Sequence, residues 1–218
     1  MRKLFLPLTV VTAGMFMAAP FLIDGAPYES TMGLVQKIFY FHVPSAMTMF
    51  MSAIVCGVSS AVYLFKGRAS ADRLAVAAAE LTSVFGVIVL VTGPLWARKA
   101  WGVWWVWDER ITSTFVLWLI FNAYLLLRKY GGPGSEKLAA GLAVFGMANV
   151  PFVYLSVNLW RTVHPKTSVV MTLEPDMGRP FLLSTLAFLA LFVLVLVARV
   201  RLENTRAALD DVYLSLED

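Results

Sequence analysis

Two kinds of residue in this chain could do chemistry that apolar helices cannot. The first is histidine, present only as His42 and His164. His42 stands in Phe41-His42-Val43-Pro44, and His164 in Thr162-Val163-His164-Pro165. Neutral imidazole is a common iron ligand, and two imidazoles from separate loops can take both axial positions of one planar cofactor. A single interfacial histidine is more often an ordinary residue satisfied by water. Two on one face, with none elsewhere, leave both readings open.

The second is tryptophan. Four of the seven fall between Trp101 and Trp107, in Lys99-Ala100-Trp101-Gly102-Val103-Trp104-Trp105-Val106-Trp107-Asp108-Glu109-Arg110-Ile111-Thr112. If this segment is helical, Trp101, Trp104, Trp105 and Asp108 share one face by the i, i+3, i+4 rule, with Trp107 bordering it. That face is an aromatic plate flanked by Asp108 and Arg110. Tryptophan also favours membrane interfaces, and such a belt accounts for Trp96, Trp118 and Trp160. It accounts poorly for four on one connection. An exposed aromatic patch of this size marks a binding surface suited to a large, flat, apolar ligand.

Other chemistry is thinner. Glu80 is the one carboxylate near a span interior, where it reads as a residue snorkelling to the interface, with no visible partner for a proton relay. Asn122, Asn149 and Asn158 are expected to join helices. Met47, Met49 and Met51 are expected to pack. The single cysteine, Cys56, cannot form an intramolecular disulfide, and no Cys-x-x-Cys-His sequence is present for covalent haem attachment. There is no phosphate-binding loop, no His-Glu-x-x-His and no Gly-x-Ser-x-Gly. A basic stripe interleaved with aromatics is missing too, so nucleic acid is not an expected partner.

These residues must be positioned by membrane helices. The chain has 218 residues, 59% hydrophobic and 15% charged, with a mean hydropathy of +0.74. A soluble domain would carry roughly a quarter charged residues. The charges cluster between apolar runs long enough to cross hydrocarbon as helices, the form that closes its own backbone hydrogen bonds in lipid. The expected fold is all-α, one polytopic six-helix transmembrane domain. The spans are Leu4–Ile23, Val43–Phe65, Leu74–Ala97, Ile111–Leu127, Leu138–Trp160 and Phe181–Ala198. Arg2-Lys3 before an apolar stretch resembles a signal peptide, but Pro20 after Ala18-Ala19 disfavours cleavage, and the segment reads as an uncleaved first span.

Orientation follows from the cations. Arg2, Lys3, Lys66, Arg68, Arg73, Arg128, Lys129, Lys137, Arg199, Arg201 and Arg206 lie at one end of the spans. Lys37, Arg98, Lys99, Arg110, Arg161, Lys166 and Arg179 lie at the other, 11 against 7. The positive-inside rule then puts both termini in the cytoplasm, with a tail over 199–218. Loops 24–42, 98–110 and 161–180 fall outside, with both histidines and the tryptophan-rich loop.

The run Trp101-Gly102-Val103-Trp104-Trp105-Val106-Trp107-Asp108-Glu109-Arg110-Ile111-Thr112 resembles the "WWD" signature of haem-handling membrane proteins. Length and span number single out the cytochrome c maturation protein C (CcmC) family among them. Lys37-Ile38-Phe39-Tyr40-Phe41-His42-Val43-Pro44 resembles that family's first histidine motif. Ser156-Val157-Asn158-Leu159-Trp160-Arg161-Thr162-Val163-His164 resembles the second. The chain departs from the family where arginine is common at Lys37, leucine at Ile111, a paired tryptophan at Leu159-Trp160 and glutamine at Pro165. A lysine at position 37 keeps the charge but loses arginine's two-pronged geometry toward a carboxylate.

The resemblance implies a haem-transfer protein of the bacterial inner membrane, not an enzyme. It would hold haem b non-covalently and transiently on the periplasmic face and pass it to a membrane-anchored haem chaperone. ABC-transporter ATPase and permease subunits and a small membrane subunit would be its neighbours. His42 and His164 would ligate the iron, and Trp101, Gly102, Trp104, Trp105 and Trp107 would line the macrocycle. Arg110 and Lys37 would neutralise propionates, while Asp108 orients Arg110 or the loop, or meets the chaperone. Two alternatives stand beside it. One is a bis-histidine cytochrome that keeps its haem, disfavoured because two histidines allow one haem on one side. The other is a cofactor-free permease subunit, disfavoured because the spans are almost unbroken apolar runs.

Overall fold

The computed structural model describes residues 2–160 and 162–217. Arg161 and Asp218, counted above in an outer loop and in the tail, lie outside them, as do the side chains of Arg2 and Lys3. Six helices follow in order: α1 Arg2–Asp24, α2 Phe39–Lys66, α3 Ala69–Trp101, α4 Glu109–Tyr130, α5 Ser135–Leu159 and α6 Pro175–Glu217. Short 3₁₀ segments at Leu34–Ile38 and Thr167–Thr172 interrupt the first and last of the longer connections. All six helices are long and apolar enough to cross a membrane. No strand occurs among the described residues.

Helix ends differ from the apolar runs in ways that matter for the site. α2 starts at Phe39, so His42 is in its first turn instead of in the loop before it. α3 runs a full turn past Ala97, carrying Arg98, Lys99 and Trp101 on helix. α6 continues through the charged residues after Ala198 to Glu217. Arg199–Glu203 and Arg206–Glu203 pairs at i,i+4 and i,i+3 support that extension.

Successive helices alternate in direction. The connections 25–38, 102–108 and 160–174 therefore gather at one end, and the short turns after α2 and α4 lie at the other. α2 is central, packed lengthwise against α3 and α5, with α4 between those two. α1 pairs with α6, which also touches α2 and α3.

Small residues let these helices approach closely, as expected where lipid supplies no hydrophobic drive between them. Ala75, Ala78, Ala79 and Thr82 form a fully buried row on α3, facing Ser52, Ala53 and Cys56 of α2. A Cβ added at Gly57 would sit 2.3 Å from the Cβ of Met147, and one at Gly146 would sit 2.9 Å from both Ile120 and Phe121. Many large apolar side chains face outward, for example Phe21 at 81% and Phe65 at 87% exposure, while Met49, Phe85, Leu117 and Phe121 fill the core. With six such helices, this chain is a multi-pass membrane protein.

Polar residues tie the bundle laterally. Ser83 donates to Asn122 across α3 and α4 (2.9 Å), and Asn149 donates to the Ser113 carbonyl across α5 and α4 (3.2 Å). Glu80 has a partner that local sequence does not reveal, the guanidinium of Arg199, 119 residues away on α6. Arg128 pairs with Asp72 at 2.6 Å.

Candidate functional site

His42 is 7% exposed and its Nδ1 lies 2.8 Å from Thr92 Oγ1 on α3. The Thr92 hydroxyl donates its only proton to the carbonyl of Ile88, one turn earlier, at 2.7 Å. With that proton given to Ile88, the hydroxyl is left to accept from His42, an arrangement that calls for a proton on Nδ1 and suits a neutral ring with Nε2 free. His164 reaches the same tautomer by another route. Its Nδ1 lies 2.8 Å from the carbonyl oxygen of Pro165, which can only accept. Burial, with Arg110 nearby, pushes the His164 imidazole down to about 4, so it is neutral near pH 7.

The two rings lie 6.5 Å apart between centroids, at 41°. A metal–imidazole bond is about 2 Å and the ring nitrogen stands roughly 1 Å from its centroid, so two rings on one metal are separated by about 6 Å. The pair matches that spacing.

Asp108 explains how a loop residue is held there. It is the N-cap of α4, and its Oδ1 accepts from the Ile111 amide at 2.8 Å. Its Oδ2 accepts from the Thr162 hydroxyl, which in turn accepts from the His164 amide at 3.1 Å. One carboxylate thus joins the start of α4 to the loop that carries His164.

The tryptophan segment is not the helix that the spacing rule supposes. α3 stops at Trp101 because Gly102 adopts φ 77°, a left-handed conformation that L side chains rarely take, and α4 starts only after Asp108. Trp101, Trp104 and Trp105 nevertheless line the same cleft, together with His42, His164 and Arg110. Trp107 is 71% exposed and does not line it; it meets Trp105 edge-on at 5.4 Å. Gly102 shapes the turn without lining the cleft. A second, larger cleft opens on the side of residues 165–171, and His42, His164, Arg110 and Trp96 border both.

Arg110 is 9% exposed. It donates to the Val153 carbonyl at 2.5 Å and lies over the Phe50 ring at 5.7 Å. It has no salt bridge among the described residues. A buried guanidinium without an anion is costly, and a ligand carboxylate would offset that cost. Lys37 is elsewhere: its Nζ donates to the Asp24 carbonyl at 2.7 Å, at the end of α1, and it borders neither cleft.

Two residues of the site escape a reading of spacing. Trp96 is 6% exposed and meets His42 edge-on at 5.7 Å, so it is part of the site rather than of an aromatic belt. Thr92 is the other, and no motif contains it. The signal that could have found it is Thr92-Gly93-Pro94, a polar residue and two helix-weakening ones inside an apolar run.

These residues fit a planar, metal-centred ligand bearing carboxylates. Two imidazoles, flat indole walls and a buried guanidinium could offer such a ligand metal-binding nitrogens, stacking surfaces and a partner for a carboxylate. Among the described residues, no group of three or more His, Cys, Asp or Glu could hold a bare metal ion.

Known proteins resemble this chain in sequence. The family model described as "Heme exporter protein C" matches residues 1–213. A protein named Heme exporter protein C from Bradyrhizobium diazoefficiens is 34% identical over 188 residues, 83% of this chain and 71% of that one. The Heme exporter protein C of Escherichia coli K12 is 34% identical over 183 residues, 81% of this chain and 73% of its own length. A putative cytochrome c biosynthesis ccmC-like mitochondrial protein of Marchantia polymorpha is 31% identical over 144 residues, 66% of this chain and 61% of that protein. With the family match running from the first residue to residue 213, this chain belongs to the heme exporter protein C family.

Proposed function

We propose that this protein binds haem b at the end of the bundle where the three longer loops gather, and delivers it to a membrane-anchored haem chaperone for cytochrome c biogenesis. The observation that carries this reading is the histidine pair. Two imidazoles, each with its Nδ1 beside an oxygen that can accept from it, stand 6.5 Å apart, bordering clefts walled by tryptophan. His42 and His164 are the axial ligands. Trp101, Trp104 and Trp105 cover the macrocycle, and Arg110 takes a propionate. The clefts are open, which suits cargo that must leave. Transfer makes no bond within this chain, so its role is presentation instead of catalysis.

The excess of cations at the opposite end supports a periplasmic site with both termini in the cytoplasm of a bacterial inner-membrane protein. The names of its relatives speak of haem export and cytochrome c biosynthesis. That supports neighbours of the kind the resemblance implies: ABC-transporter ATPase and permease subunits and a small membrane subunit. The test is absorption spectroscopy of purified protein with haemin, for wild type and the His42→Ala, His164→Ala double variant. Low-spin bis-histidine bands in the wild type alone are expected, with loss of haem on adding apo-chaperone. Identical spectra for both proteins would remove the ligand assignment. Haem retained quantitatively against apo-chaperone would favour a resident cytochrome.

A further inference from the structure

We propose that Thr92 is a positioning residue for the iron ligand His42, setting which imidazole nitrogen is presented to the metal. This rests on the haem reading above for its consequence, but the hydrogen-bond assignment stands without haem.

The logic is one of proton counting. A threonine hydroxyl has one proton and two lone pairs. Thr92 Oγ1 lies 2.7 Å from the Ile88 carbonyl oxygen, which has no proton to give. The hydroxyl proton is thus used within α3. Thr92 Oγ1 also lies 2.8 Å from His42 Nδ1, and only the imidazole can supply that proton. A threonine tied back to its own helix is commonly a passive feature. Here, with its proton given to Ile88, the hydroxyl is left as an acceptor for His42.

Two further positions of α3 complete the cradle. Gly93 lies against the ring: a Cβ added there would sit only 3.4 Å from His42 Cε1. Trp96 packs at 78° to the ring plane. Thr92 and Trp96 are one helical turn apart, so both project from the same side of α3 toward His42. An acceptor on the distal ring nitrogen fixes tautomer and orientation and raises the basicity of the ligating nitrogen. The two ligands are therefore held differently: His42 by a neighbouring transmembrane helix, His164 by a carbonyl of its own loop.

The chain has only two histidines, which makes the test direct. Full-length protein labelled with ¹⁵N-histidine is prepared without haem, and the ring nitrogens are assigned by NMR using His164→Gln to separate the two. Wild-type His42 is expected as the Nδ1–H tautomer with an unprotonated Nε2. Thr92→Val keeps the shape and removes the acceptor; Thr92→Ser keeps the acceptor. Thr92→Val is expected to shift His42 to a tautomer mixture or to Nε2–H, to weaken haemin binding about 10- to 100-fold, the usual cost of losing such a partner, and to raise the haem reduction potential. Thr92→Ser is expected to restore all three. An Nε2–H His42 in the wild type overturns the proposal. So does a Thr92→Val protein with unchanged tautomer, affinity and potential. Should Thr92→Val fail to fold, the wild-type tautomer and the Thr92→Ser potential decide. A wild type that shows the expected tautomer yet binds no haemin refutes the haem reading and leaves the Thr92 assignment standing.

Discussion

Replacing Asp108 by alanine should loosen a residue it never touches. Asp108 accepts from the Ile111 amide and from Thr162, and Thr162 anchors the His164 amide. Removing the carboxylate costs an N-cap, about 1 kcal/mol, and releases the loop through Thr162. If two or three residues around His164 must then be reordered on ligand binding, at about 1 kcal/mol each, the loss is about 2–3 kcal/mol. That corresponds to a roughly 30- to 150-fold weaker haemin affinity. Titration of detergent-purified protein, followed in the Soret band, measures it. The decisive arm is the double-variant cycle with His164→Ala. If Asp108 acts through His164, Asp108→Ala has little further effect once the imidazole is gone. Penalties that simply add would refute the coupling, as would an Asp108→Ala affinity within about twofold of wild type.

Other outcomes follow from the same geometry. Trp105→Leu, at the cleft wall, should weaken haemin binding about tenfold or more, while Trp107→Leu should leave it nearly unchanged; equal losses in the same titration would contradict that difference in position. Arg110→Met should reduce affinity and Lys37→Met should not, because Lys37 is engaged with the end of α1; a Lys37→Met effect as large as that of Arg110→Met would place a propionate elsewhere. Burial holds the His164 pKa to about 4, below its ordinary value, so protons compete for this ligand only as pH falls toward that value. Haemin affinity should thus stay level from about pH 8 to pH 6, provided that no other group intervenes, whereas an ordinary imidazole would begin to lose it near pH 6.5; an affinity drop centred there in the His42-intact protein would count against the burial. Gly57→Leu forces α2 away from Met147 and should lower the thermal midpoint of the detergent-solubilised protein by several degrees; an unchanged midpoint would deny the close contact.

The helices are legible because lipid imposes a length and an apolar composition that sequence records directly. Both histidines and the tryptophan run are legible as rare or crowded residue types. What is not legible depends on partners distant in the chain. Glu80 reads as an isolated carboxylate until α6 brings Arg199 to it. Trp96 looks like a belt residue because nothing local ties it to His42, 54 positions earlier, whose ring it meets edge-on. Lys37 shares a motif with His42, yet the 3₁₀ turn at Leu34–Ile38 directs it to Asp24. The tryptophan run fails as a helix for a local reason: Gly102 and Asp108 are respectively a helix stop and a helix start, and only a few residues separate them.

The 43-residue α6 is helical from end to end, with Pro180 inside it near its start. At about 1.5 Å per residue it is roughly 65 Å long, twice the thickness of bilayer hydrocarbon. It begins at Pro175, directly after the loop bearing His164, and its Arg199 is pinned to Glu80 partway along. A tilt imposed on its far, charged arm would be carried past the Arg199–Glu80 pair toward the loop that bears His164.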